Sequence, residues 1–214
     1  PSRRIVTSGG DVFRNEYSLE FDGSNDYVDC GDSATLKAIA SSSFTVSTWI
    51  KPAVDDSHDV IVGNTWDAKG FHLRIHTNNK LRFIIVTDGS NYIYSDSSSA
   101  LSAEWTHVTG TWDGTNIKTF VNGSESTNAT TAGTIVSNTS TTNLYIGNNS
   151  ETDYDFNGNI AQVGIWRGAL TQSAIQEVKE KSFNELSASD KSSLGAELQD
   201  TTWSNSDIVT FSNA

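Results

Sequence analysis

The stretch Asn148-Asn149-Ser150-Glu151-Thr152-Asp153-Tyr154-Asp155 places three carboxylates and two side-chain amides within eight residues. Hard divalent cations such as calcium take about six to eight oxygen ligands, so this is where such an ion would find donors. Asp67 offers another carboxylate, in the polar run Asn64-Thr65-Trp66-Asp67-Ala68-Lys69-Gly70, and Trp66 stands beside it. An aromatic ring in a polar loop can stack on the apolar C–H face of a sugar while the hydroxyls reach an ion or a nearby amide. It can equally cover the edge of a core. Tyr92 and Tyr94, on either side of Ile93, are further stacking candidates. Asp22, Asn25, Asp26 and Asp29 form a second polar cluster, which turn chemistry accounts for without a metal.

Other chemistries are weakly supplied. The single cysteine, Cys30, excludes an internal disulfide framework and falls in an apparent strand, where it reads as a small buried side chain. None of His58, His72, His76 or His107 lies in a recognisable nucleophile motif. A net charge of −12 repels a phosphate backbone, and Lys and Arg are nowhere clustered enough to reverse that, so nucleic acid is not an expected partner. No segment approaches the length and apolarity of a membrane span, and no apolar run of signal-peptide length follows Arg3-Arg4.

The elements that must carry these residues are strands. The sequence is rich in Thr, Ser, Asn and Gly and holds two prolines in 214 residues, a profile of short strands joined by polar turns. Tyr17 to Phe21 alternates apolar and polar residues, and Phe44 to Ile50 does so over a longer span before Pro52 ends it. Further strand candidates are Val60–Val62, Phe71–His76, Leu81–Thr87, Tyr92–Tyr94, Trp105–Trp112, Ile117–Val121, Leu144–Ile146 and Ile160–Trp166. Asn78-Asn79, Asp88-Gly89, Asp113-Gly114 and Asn122-Gly123 are pairs that tolerate positive φ and close tight hairpins. The pattern predicts two packed antiparallel sheets, an all-β sandwich. Thr171 is placed to cap a helix through Ala174, Ile175 and Val178, and a weaker helical pattern covers about residues 188 to 198.

Four segments in fixed order carry a family resemblance. They are Ser18-Leu19-Glu20-Phe21-Asp22-Gly23-Ser24-Asn25-Asp26-Tyr27-Val28; Phe44-Thr45-Val46-Ser47-Thr48-Trp49-Ile50-Lys51-Pro52; Glu104-Trp105-Thr106-His107-Val108 with Trp112-Asp113-Gly114 and Val121-Asn122-Gly123; and Phe156-Asn157-Gly158-Asn159-Ile160-Ala161-Gln162-Val163-Gly164-Ile165-Trp166 with Ala169-Leu170-Thr171. Together they resemble the laminin G-like, concanavalin A-like jelly-roll superfamily, in its pentraxin-like branch, over roughly residues 17 to 180. Trp49, Trp105, Trp112 and Trp166 are expected to pack in or against the sheets. The resemblance implies a calcium site at one end of the concave sheet, built here from Asp67, Asn149, Glu151, Asp153 and Asp155. Trp66, Tyr92 and Tyr94 would contact a ligand beside it.

The fold hosts lectins, adhesion modules, hydrolases and virion proteins, so function must come from the site. Glu151-Thr152-Asp153-Tyr154-Asp155 resembles the Glu-x-Asp-x-Glu signature of laminarinase-like hydrolases, but its last acid is one carbon shorter and the run follows loop residues. Such an arrangement does not hold the carboxylate spacing of glycoside cleavage, and no enzyme is expected. Two readings remain: a virion surface protein, decoration or fibre, that presents or binds glycan; and a secreted or cell-surface, calcium-dependent carbohydrate-binding module. Four Asn-x-Ser/Thr sequons, at Asn122, Asn128, Asn138 and Asn148, favour a bacterial or phage setting over a eukaryotic secretory one. Residues 1–16 form an arm, 17–181 the jelly roll and 182–214 a docking tail, with a capsid or tail protein, or another copy of the chain, as docking partner.

Overall fold

A computed structural model describes residues 17–55, 57–64, 70–86, 92–126, 128–129, 140, 142–148 and 154–180. In chain order the elements are β1 (Leu19–Asp22), β2 (Val28–Asp29), α1 (Ala34–Lys37), β3 (Phe44–Pro52), β4 (Asp59–Gly63), β5 (Gly70–Ile75), β6 (Lys80–Val86) and β7 (Tyr92–Ala100). They continue as β8 (Thr106–Trp112), β9 (Ile117–Val121), β10 (Ser124–Glu125), β11 (Asn128–Ala129), β12 (Tyr145–Ile146), β13 (Asn157–Arg167) and α2 (Gln172–Glu180).

Two antiparallel sheets face each other. One is six-stranded, in the order β1-β13-β3-β8-β9-β10, and the other seven-stranded, in the order β11-β7-β6-β5-β4-β12-β2. Alternation decides which side chains meet between them. Phe44, Val46 and Ile50 of β3 and Val108 and Trp112 of β8 meet Phe71, Leu73, Leu81, Phe83 and Ile85 of β5 and β6 in one buried cluster. Phe44, Phe71 and Phe83 form its aromatic centre, with ring centroids 4.9 to 6.3 Å apart. Gly110 of β8 sits under Phe83; a Cβ there would come within 2.6 Å of the ring. The missing side chain is what lets the two sheets close at that point.

The hairpins follow the turn chemistry read from the sequence. Asn79 has φ of 56° and Asn122 of 52°, each in a left-handed conformation that Asn tolerates. The helix α2 begins where expected: Ala174 N–H donates to Thr171 Oγ1 at 3.3 Å. Ala174 and Ile175 then join Phe120, Trp166 and Leu170 on the outer side of the six-stranded sheet. All four tryptophans named above are buried, Trp112 inside the sandwich and the other three on that outer side. β7 runs to Ala100, beyond the Tyr92–Tyr94 segment expected from sequence. The Asp88-Gly89 turn, the arm at 1–16 and the stretch at 182–214 lie outside the described residues.

Candidate functional site

Of the residues expected to hold calcium, Asp67, Asn149, Glu151 and Asp153 lie outside the described residues, as does Trp66. Their flanking residues are described. Asn64 and Gly70 bracket the first loop at the C-terminal end of β4, where Asn64 N–H donates to Phe71 O at 3.0 Å. The second loop leaves the sheet at Gly147, whose N–H donates to Ile61 O, and returns at Tyr154, whose carbonyl accepts from Val60. The two loops are therefore anchored roughly 10 Å apart along β4, at about 3.3 Å per residue.

Asp155, the described member of the acidic set, turns toward other acids. Asn148 Nδ2 donates to Asp155 Oδ1. Asp155 and Asp55 both oppose ionisation of Asp59, whose carboxyl is pushed up to about 6, first by burial. Ser57 Oγ donates to Asp59 Oδ1 and also to Asp55 Oδ1, and favours the ionised form of Asp59 against those effects. Among the described residues no group of three or more His, Cys, Asp or Glu side chains is arranged to hold a metal ion. Calcium's donors are not gathered by this framework alone.

Tyr92 and Tyr94 lead to a different surface. Strand register lines residues up in rows across the outer face of the seven-stranded sheet. One row runs Asp29, Tyr145, Gly63, His72, Ile84, Tyr94. The next runs Val60, Arg74, Arg82, Asp96. At one end Tyr27 meets Tyr145 edge to face, with centroids 5.7 Å apart. At the other, Tyr92 and Tyr94 lie 6.1 Å apart, and the Arg82 guanidinium sits 4.1 Å above the Tyr94 ring. Arg82 also donates two hydrogen bonds to Asp96, at 2.6 and 2.7 Å. His76 and His58 pack together at 4.5 Å on the flank, with Tyr154 5.9 Å from His58.

Most of this face is covered: His72, Ile84 and Val60 are buried and Arg74 is only 5 % exposed, whereas Tyr92 at its margin is 46 % exposed. Burial lowers the affinity of His58 for a proton to a pKa of about 4, helped by Arg74, His76 and Arg82; His76 is lowered for the same reasons. Burial and Arg82 bring Arg74 down to about 10, which leaves it charged at neutral pH. Near neutrality, then, the charges of the second row are those of Arg74, Arg82 and Asp96.

Sequence reasoning named Tyr92 and Tyr94 but not the histidines and arginines of this face, although their signal is present. Phe71-His72-Leu73-Arg74-Ile75-His76 alternates so that His72, Arg74 and His76 share one face. A second polar constellation has no access to solvent. Ser47 Oγ and His107 Nε2 are 2.8 Å apart, and Thr109 Oγ1 donates to Ser47 Oγ at 3.0 Å. His107 is buried and held neutral, its pKa pushed down to about 3 by desolvation and then by Lys179. No carboxylate orients its ring, since His107 Nδ1 has no hydrogen-bond partner. The pair packs beneath Trp49 and does not make an activated nucleophile.

Two antiparallel sheets in this strand order define a jelly-roll sandwich. The chain belongs to the concanavalin A-like lectin/glucanases superfamily, whose laminin G-type family model matches residues 22–176. Comparison with curated protein sequences finds no match. Among solved structures the chain is similar to the SAP-like pentraxin of Limulus polyphemus, at 18 % identity and a TM-score of 0.57, covering 76 % of this chain and 81 % of that one. It is similar to the CBM40 of the Ruminococcus gnavus IT-sialidase bound to α2,3-sialyllactose, at 17 % identity and a TM-score of 0.61, covering 76 % and 96 %. Domains LG4-5 of the mouse laminin α1 chain match at 13 % identity and a TM-score of 0.53, covering 70 % and 40 %. These likenesses are of fold.

Proposed function

We propose that this chain is a non-catalytic glycan-binding domain whose binding surface is the outer face of the seven-stranded sheet. The observation that carries the reading is the margin of this face at Tyr92, Tyr94 and Arg82: two tyrosines on one strand, one exposed, with a guanidinium and a carboxylate fixed beside them. Aromatic faces take the apolar side of a sugar ring, and the Arg82–Asp96 pair supplies donors and acceptors for hydroxyls. The similar CBM40 structure, solved with a saccharide, supports the choice of ligand class.

Glycan-array screening followed by calorimetry tests this. Tyr94→Ala should weaken the best array ligand by about tenfold or more, a loss of about 1.4 kcal/mol. Undiminished binding by a folded Tyr94→Ala protein, or no ligand on the array, would overturn the proposal.

Calcium enters this proposal through Asp67 and the 149–153 loop, which hold the expected donors. Titration with calcium chloride should release heat with the wild type and none with Asp153→Ala; a silent wild type ends the metal reading. The setting we propose is a virion surface, with an extracellular module as the second setting. Docking to a larger particle would use the arm at 1–16 and the tail at 182–214. Mass spectrometry of purified particles from the source that lacks this chain would remove the virion setting.

A further inference from the structure

The margin at Tyr92 and Tyr94 has a counterpart at the other end of the same face. β2 is the last strand of the seven-stranded sheet, and it pairs with β12. The pairing continues past both strands, since Cys30 N–H donates to Leu144 O and Leu144 N–H donates to Gly31 O. Val28 and Ile146 pack into the core, so alternation sends Tyr27 and Asp29 outward on one side and Asn143 and Tyr145 outward on the other. Tyr27 is 55 % exposed and meets Tyr145 edge to face. These rings form an open platform at the edge of the sheet.

Polar groups are fixed beside the rings. Asn143 Nδ2 donates to both Asp29 oxygens at 3.0 Å, and Gly31 N–H donates to Asp29 Oδ1 at 2.8 Å. A carboxylate has about four acceptor positions, so Asp29 Oδ2 keeps capacity for another donor. Among the described residues nothing donates to Asn143 Oδ1. The loop that leads to Tyr27 is itself held: Asp22 N–H donates to Asp26 Oδ2, and Ser24 N–H to Asp22 Oδ1. Residues 22 to 32 include four aspartates and no lysine or arginine, a field that repels anions. A neutral sugar answers both halves of this surface, with hydroxyl donors for the two acceptors and an apolar C–H face for the rings.

The two margins are separate. Tyr145 and Tyr94 share a row but lie four strand spacings apart, about 19 Å at about 4.8 Å each. His72 and Ile84 between them are buried, so a saccharide does not rest on the row that joins the two ends.

We infer that Tyr27 and Tyr145, with Asp29 and Asn143, form a second saccharide seat that takes uncharged sugars. It rests on the glycan reading for its class of ligand, and it makes one chain bivalent. On a glycan-coated surface the second seat then binds at the high effective concentration set by the first.

The test follows assigned proton–nitrogen NMR spectra of the full chain during titration with cellotriose, maltotriose, mannotriose and two matched pairs. The pairs are lactose with sialyllactose, and methyl-esterified with de-esterified trigalacturonate, at one fixed ionic strength. At least one neutral saccharide should shift the amides of Tyr27, Asp29 and Tyr145, and in neither pair should the acidic member shift them at a lower concentration than its neutral partner. Tyr27→Ala should weaken binding at this group by about tenfold or more while the group around Tyr92 and Tyr94 responds as before; Tyr94→Ala should do the reverse. Tyr27→Trp keeps a ring in place and should preserve the seat, which separates lost stacking from a loosened loop. Shifts confined to β7 and its neighbours, or tighter binding of an acidic partner at Tyr27, would overturn this inference and leave glycan binding standing. Shifts confined to Tyr27, Asp29 and Tyr145 would support this seat and overturn the one at Tyr94. No shift with any saccharide would overturn both.

Discussion

Burial at Asp59 pushes a carboxyl whose ordinary value is 3.8 up to about 6, with Asp55 and Asp155 acting in the same direction. Protonation is therefore favoured in the folded state relative to the unfolded one. The stability this side chain contributes is present below about pH 4 and is lost as pH rises through about 6; near neutrality its charge is a net cost. Asp59→Asn keeps an acceptor for Ser57 Oγ and removes the charge. It should raise stability at pH 7 by about 1 to 2 kcal/mol and flatten the fall between pH 4 and 6, measured by urea unfolding across that range. An Asn variant less stable than wild type at pH 7 would show that the ionised carboxylate is stabilising where it sits. The same residue scale explains what sequence could reveal of the site. Acid density along the chain drew attention to residues 149 to 155, yet Asp155 is spent on Asn148 and opposes Asp59. Which acids meet depends on β12 lying beside β4, and no spacing in the sequence encodes that.

Elements show why the outer face of the seven-stranded sheet was harder to read than the core. The strands β3, β5, β6 and β8 are long, alternate cleanly and were legible from their residues. β4 does not alternate: its register shifts between Val60 and Val62, so Ile61 and Val62 both enter the core while Val60 faces outward opposite Arg74. Strict alternation would assign those faces wrongly. The strands β2, β10, β11 and β12 are two residues each, too short for any periodicity, though β12 carries Tyr145 into the outer-face row. A test of the packing argument also belongs to this scale. Gly110→Ala would drive a methyl group into Phe83, and because the contact joins two sheets neither side can yield without moving a strand. The expected loss is about 1 to 3 kcal/mol in equilibrium unfolding. A neutral Gly110→Ala would mean that the sheets shift to admit it.

Across the whole molecule the fold was the most legible level, because four segments in order constrain topology more tightly than any one of them constrains a site. The outer-face rows lie mostly on β4, β5, β6 and β7, central strands hydrogen-bonded on both sides, and one row continues through β12 to β2 at the edge of the sheet. The margins of the sheets are built differently. Among the described residues the outermost strands are β2 and β11 in one sheet and β1 and β10 in the other, four residues long at most, and β1 alternates Glu20 and Asp22 with its apolar residues. Long, flat, apolar edges recruit strands from neighbouring molecules, and short charged ones do not. Copies of this protein can therefore be crowded side by side without their sheets fusing into a common ribbon.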